Sequence, residues 1–159
     1  MTLADMLARP LLIYGIGNVG RQDDGLGPLL VERLEAAGVP AGVTLESGYQ
    51  LAPEDALLVA SQEAVLFVDA SAALDASAPY SIEPVVAASE IAFSTHTMSM
   101  GSLLSLCGRL YGRAPRAYAL AIPGYGFEVN APLSVPAEAN LTRAVLDLTA
   151  ALVGPREET

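Results

Sequence analysis

Asp24, Asp69 and His96, with Asp23 beside the first of them, are the residues of this chain best suited to chemistry. Two carboxylates and an imidazole make a workable donor set for a borderline divalent metal, and three ligands leave coordination positions open to an outside group. The three lie far apart in sequence, so their spacing alone does not assemble them. Each also has an ordinary structural use. Asp24 would serve equally as the cap of a helix beginning near Gly25, Asp69 as an acceptor for backbone amides, and His96, in Ser94-Thr95-His96-Thr97, as part of a helix start.

The loop Gly15-Ile16-Gly17-Asn18-Val19-Gly20 offers a different chemistry, because it matches the dinucleotide-binding pattern and follows a predicted strand. In that arrangement the glycines run directly into a helix whose N-terminus receives a pyrophosphate. Here Arg21 to Pro28 intervene, and the adjacent carboxylates of Asp23 and Asp24 would repel a phosphate. Glu46 is available as the ribose-binding acid, but it stands later than the usual ~20 residues. A nucleotide-binding oxidoreductase module is therefore the weaker alternative. Familiar protease designs fall by subtraction. One histidine cannot make an H-E-x-x-H zinc site, and the chain has no G-x-S-x-G elbow. Cys107 sits on an apolar helical stripe and reads as a core residue rather than the partner of His96.

The elements that must position these residues alternate between short strands and amphipathic helices. Strands are predicted at Leu11–Gly15, Val43–Ser47, Ala64–Asp69, Tyr80–Val86 and Ala117–Ile122. Leu26, Leu29, Leu30, Leu34 and Ala37 recur at helical spacing before Gly38. Pro53–Ala60 reads as a short helix, about Thr97 to Tyr111 as another, and Leu141, Ala144, Val145, Leu148 and Leu152 mark the last. Such alternation predicts an α/β domain of three layers: a mainly parallel, five-stranded twisted sheet with helices on both faces. One domain over 1–159 is expected, with its core at about 11–153 and a frayed tail from Gly154 to Thr159. In an open sheet of this kind ligands bind beyond the carboxyl ends of the strands. Asp24 follows the first strand, Asp69 ends the third, and His96 falls between the fourth strand and its helix.

Composition narrows the function. The chain has 159 residues and is 52% hydrophobic, yet its apolar runs are strand-sized and far short of the ~20 residues of a membrane span. The formal net charge is −10, and all eight basic residues are Arg, so nucleic acid is not expected as a partner. A single cysteine allows no internal disulfide. The N-terminus lacks the basic region of a secretion signal, so a cytoplasmic protein is expected.

Taken together, Gly15-Ile16-Gly17-Asn18 with Asp23-Asp24-Gly25-Leu26-Gly27, then Val68-Asp69-Ala70, then Ser94-Thr95-His96-Thr97-Met98-Ser99 resemble the NiFe-hydrogenase maturation endopeptidases. Tyr49-Gln50-Leu51 with Glu54-Asp55, and Gly124-Tyr125-Gly126-Phe127-Glu128 leading to Leu133-Ser134, add to the likeness, which runs from Leu11 to about Leu148. The resemblance implies a processing protease of aspartyl type that removes the C-terminal extension of a hydrogenase large-subunit precursor once nickel is in place. It implies that Asp24, Asp69 and His96 contact that nickel, which the substrate carries, and that the isolated protein, a monomer, holds no tight metal. Many members have Glu at the first position. The shorter Asp24 leaves direct and water-mediated contact both open, and leaves a share for Asp23. Asp24, Asp69, His96 and Asp23 are thus the catalytic candidates, with a non-catalytic, nickel-sensing chaperone as a further alternative.

Overall fold

The computed structural model describes residues 1–72, 77–91 and 98–153. A short helix, α1 (Leu3–Met6), precedes strand β1 (Leu11–Ile16); a 3₁₀ turn at Gln22–Gly25 then leads into α2 (Leu26–Ala37) and β2 (Val43–Gly48). A second such turn at Pro53–Asp55 opens α3 (Ala56–Ala60), and β3 (Ala64–Ser71), β4 (Ser81–Pro84), α4 (Met100–Tyr111), β5 (Arg116–Pro123) and α5 (Val135–Val153) follow. The five predicted strands are all present. The predicted start of α4 at Thr97 and the tail from Gly154 lie outside the described residues, and α1 is an addition. It is a single turn closed by a reciprocal cap between Thr2 and Asp5.

The sheet order is β2-β1-β3-β5-β4, with the first four strands parallel and β4 antiparallel to β5. The expectation of a mainly parallel sheet therefore holds with one correction. Only the stretch 72–80 separates β3 from β4, shorter than the dozen or more residues that a parallel crossover requires. β4 accordingly occupies an edge in the opposite sense. Pro84 ends it where a missing N–H costs no ladder bond on the outer side.

Side chains alternate across the sheet and bury both of its faces. Leu11, Ile13, Leu66, Val68, Leu120 and Ile122 pack with Leu30 and Leu34 of α2 and Leu141 and Leu148 of α5. Leu12, Tyr14, Val65, Phe67 and Ala117 point the other way, against Val59 of α3 and Leu103, Leu104 and Cys107 of α4. Cys107 is buried, and its thiol donates to the Ala56 carbonyl at 3.4 Å, so it is a core residue that ties α4 to α3.

The close approach of α2 to the sheet sets the shape of the rim. A methyl group added at Gly27 would stand 2.5 Å from the carbonyl oxygens of both Ile16 and Val68 and 2.7 Å from the Ile16 nitrogen. One added at Gly15 would meet the Gly27 carbonyl. These obstacles are backbone and cannot rotate away. We expect Gly27→Ala to destabilise the protein by about 3 kcal/mol, lowering the melting temperature by roughly 6–12 °C. Thermal unfolding followed by circular dichroism checks this, and an unchanged melting temperature would show that the contact is slack.

Candidate functional site

The strand order reverses between β1 and β3, since β2 lies on one side of β1 and the later strands on the other. Ligands of open α/β sheets bind at the carboxyl end of such a switch point. β1 stays paired with β3 as far as Gly15 opposite Val68, whereas β3 continues beside β5 to Ser71 opposite Pro123. Asp69 therefore lies within β3 rather than at its end, paired to Ala121 on one side and already past the β1 pairing on the other. That is how a strand residue comes to face a cleft.

The cleft holds about 410 Å³ and is lined by Ile16, Gly17, Asp24, Tyr49, Gln50, Leu51, Asp69 and Met98 to Met100. Two of the residues singled out from sequence, Asp24 and Asp69, thus share one cavity. His96 lies outside the described residues. Its neighbours Met98 and Ser99 line the same cleft, and the Ser99 hydroxyl caps α4 by accepting from the Ser102 amide. Sequence reasoning placed His96 at this rim because it follows a strand, but β4 is antiparallel, so its own carboxyl end points to the opposite rim. The chain after Pro84 returns alongside α4, with the Ala88 amide donating to the Gly101 carbonyl at 2.9 Å. Among the described residues no three His, Cys, Asp or Glu side chains gather at one point.

The two aspartates at positions 23 and 24 face different surroundings. Asp23 is 0% exposed and is not among the residues lining the cleft. Its Oδ2 accepts from the amides of Tyr125 at 2.7 Å and Gly126 at 3.1 Å and from the Ser134 hydroxyl at 2.6 Å, and its Oδ1 accepts from the Ser134 amide at 2.8 Å. Ser134 stands just ahead of α5, and its hydroxyl also accepts from the Ala137 amide at 3.4 Å. Asp23 thereby ties the lead-in of α2 to the start of α5. Burial pushes its carboxyl up, but the Ser134 hydroxyl and the three amides outweigh burial and hold it below the ordinary range. Asp24 is half-buried and lines the cleft, and its Oδ2 accepts from the Asn18 amide at 3.0 Å.

Asp69 accepts from the Ala70 amide at 2.8 Å. Burial, partly countered by that bond and reinforced by the charge of Asp24, raises its carboxyl to about 6. Two carboxylates that line one cleft and feel each other's charge are better suited to a cation than to a phosphate. Gly15 and Gly17 likewise serve close packing against Gly27 and the Asp24 carbonyl rather than a phosphate cradle. Sequence reasoning did not assign a role to Ser134, Tyr125 or Gly126 as holders of Asp23, nor to Met98 and Met100 as cleft wall. No spacing signal links positions 23 and 134, which lie 111 residues apart.

The neighbouring carboxylates should titrate with opposite effects on folding. A depressed carboxyl contributes stability above its unfolded value that is lost as the pH falls through the folded value. Asp23→Asn should therefore cost about 3 kcal/mol at pH 7, and less in acid. A raised carboxyl contributes stability below its unfolded value that is lost as the pH rises through about 6. Asp69→Asn should accordingly stabilise the chelator-treated protein by about 1 kcal/mol at pH 8, because the carboxyl is partly open to water, and by nothing near pH 4. Denaturant unfolding at the two pH values decides both. An Asp69→Asn protein that loses stability at pH 8 would mean that the charged carboxylate is held by partners rather than strained.

No protein-family model and no curated protein sequence matches the chain. Solved structures do. The NiFe hydrogenase maturation protease HycI from Thermococcus kodakarensis KOD1 superposes with a TM-score of 0.77 at 22% identity, covering 96% of this chain and 99% of that one. The hydrogenase maturating endopeptidase HybD from E. coli gives 0.66 at 23% identity over 89% and 91% of the two chains. A hydrogenase 2 maturation peptidase from a Thaumarchaeota archaeon gives 0.65 at 19% identity over 91% and 97%. At such identities the likeness establishes the fold, and the fold of this chain is the one shared by the hydrogenase maturation proteases.

Proposed function

We propose that this protein is an endopeptidase that removes the C-terminal extension of a NiFe-hydrogenase large-subunit precursor and recognises the nickel already bound there. The observation that carries the reading is the pair of carboxylates, Asp24 and Asp69, sharing one cleft at the switch point of the maturation-protease fold. His96 completes the set of three nickel-contacting residues in this proposal. Asp23 is assigned to holding the α5 start rather than to chemistry, since its oxygens already accept four hydrogen bonds.

The chemistry of the donors supports this assignment. Two mutually repelling carboxylates are uncomfortable without a cation between them, and an incomplete ligand set favours a metal whose other ligands come from the client. A precursor without nickel would leave the carboxylates unpaired in the complex, which is discrimination by a required contact. For the hydrolysis itself, a cleft carboxylate oxygen that the metal does not engage would take a proton from the attacking water and return it to the leaving amine. The client's nickel would polarise the scissile carbonyl or the water. The enzyme so proposed works as a monomer in the cytoplasm. Among the described residues no helix is long and apolar enough to cross a membrane.

Intact-mass spectrometry of the protein mixed with nickel-loaded and nickel-free precursor tests the reading. The expected outcome is release of a C-terminal peptide from the loaded precursor only. Loss of a supporting partner around a metal typically costs about 10–100-fold, so Asp24→Ala and His96→Ala should slow processing by at least roughly 100-fold while remaining folded. A stable complex with unchanged precursor mass would identify a non-catalytic nickel-sensing binder instead. Equal cleavage of both precursors would remove nickel recognition from the proposal.

A further inference from the structure

A second hollow of about 210 Å³ opens beside the acidic cleft, lined by Gly17, Val19, Pro28, Ser47, Gly48 and Tyr49. Its chemistry differs from its neighbour's: the cleft presents two carboxylates, while this hollow offers uncharged aliphatic, pyrrolidine, glycyl and aromatic surface with the hydroxyls of Ser47 and Tyr49. The two are contiguous, for Gly17 and Tyr49 line both. Val19 and Tyr49, which line it, are 58% and 73% exposed and so open to an incoming chain. We infer that this hollow is a side-chain subsite, which receives one aliphatic side chain of the substrate peptide as the peptide crosses Gly17 to reach Asp24 and Asp69.

The inference rests on the endopeptidase reading and adds a specificity determinant to it. An extended peptide alternates its side chains, so a segment whose reacting bond lies at the carboxylates presents a neighbouring residue to the adjoining wall. The size fits. An apolar cavity of ~150 Å³ holds a benzene ring, so this hollow admits a leucine-sized group with room to enter from solvent. The walls are firm. The Gly17 amide donates to the Gly48 carbonyl at 3.0 Å, a Cβ at Gly48 would stand 3.0 Å from the Tyr14 hydroxyl, and that hydroxyl is held by both oxygens of Asp55 at 3.3 Å. Pro28 lies in the first turn of α2, fixed by the Gly27 contact. A rigid apolar hollow next to a charged one sorts peptides by burying a single side chain, an effect of about 10–200-fold for small changes of hydrocarbon.

Steady-state cleavage of nickel-loaded precursors that carry Leu, Ala or Asp in turn at each residue flanking the cut tests this, using the wild-type protein, Ser47→Phe and Val19→Asp. Ser47→Phe fills the hollow, and Val19→Asp puts a charge at its lip. At one flanking position the wild-type protein should prefer Leu over Ala by about tenfold or more, through KM rather than kcat. Both variants should erase that preference by bringing kcat/KM for Leu precursors down to that for Ala precursors. If the folded variants keep the wild-type preference, or lose activity equally on every precursor, the subsite is refuted. Should Ser47→Phe not fold, Val19→Asp decides alone, since its side chain is largely in water. A wild-type dimer that Val19→Asp dissociates would mean that a second copy fills the hollow, which also overturns the inference. Wild-type protein that cleaves no precursor would instead sink the endopeptidase reading itself, a different failure from cleavage without side-chain preference.

Discussion

Between Gly27 and the ends of β1 and β3 there is no room for a methyl group. The first turn of α2 consequently rests on the Ile16 and Val68 carbonyls, and the chain between β1 and α2 has to fold back over the rim of the sheet. The Gln22–Gly25 turn is that fold-back, and it carries Asp23 and Asp24. With Gly17 beneath it, where a Cβ would collide with the Asp24 carbonyl, the turn is pressed onto the switch point. Asp24 reaches the cleft because the backbone below it has been stripped of side chains.

Consecutive residues in such a turn point in different directions, and this explains the unlike fates of the two aspartates. Asp23 points towards the 124–134 loop, meets four donors and is stabilised as an anion. Asp24 accepts from the Asn18 amide on its Oδ2 and shares the cleft with Asp69. One carboxylate fixes the site's frame and the other forms part of its surface. Adjacent identical residues thus meet unlike surroundings, a buried anchor and an open cleft, which composition alone could not tell apart.

Much of the architecture was legible because buried parallel strands write themselves as apolar runs: Leu11–Tyr14 and Ala64–Val68 are continuous hydrophobic stretches, and the helical stripes on α2 and α4 are equally plain. The sense of β4 was not legible, because a strand's sequence pattern carries no direction and only the short 72–80 connection hints at it. Asp24 and Asp69 could be found because they follow or close predicted strands, a rule that depends on fold class rather than contact detail. The anchoring of Asp23 by Ser134 was invisible, since a hydrogen bond across 111 residues leaves no periodicity. The expectation for His96 rested on a premise about β4 that the antiparallel pairing removes, and His96 itself lies outside the described residues.

A half-buried carboxylate raised to about 6 by partial burial and by a neighbouring charge is a local weakness that folding alone gives no reason to keep. The rest of this rim shows how readily the fold satisfies acids when it can: Asp23 has four donors, and Asp55 both caps the Ala52 amide and receives the Tyr14 hydroxyl. Among the described residues Asp69 accepts from the Ala70 amide alone, with Ser99 and Gln50 lining the same cleft. An arrangement strained in the free protein and relieved by a cation gives the largest difference between binding a metal-loaded partner and an empty one. Under the proposed function that strain would be the source of discrimination, because any donor that made the empty cleft comfortable would weaken a preference for a metal-loaded client by the same amount.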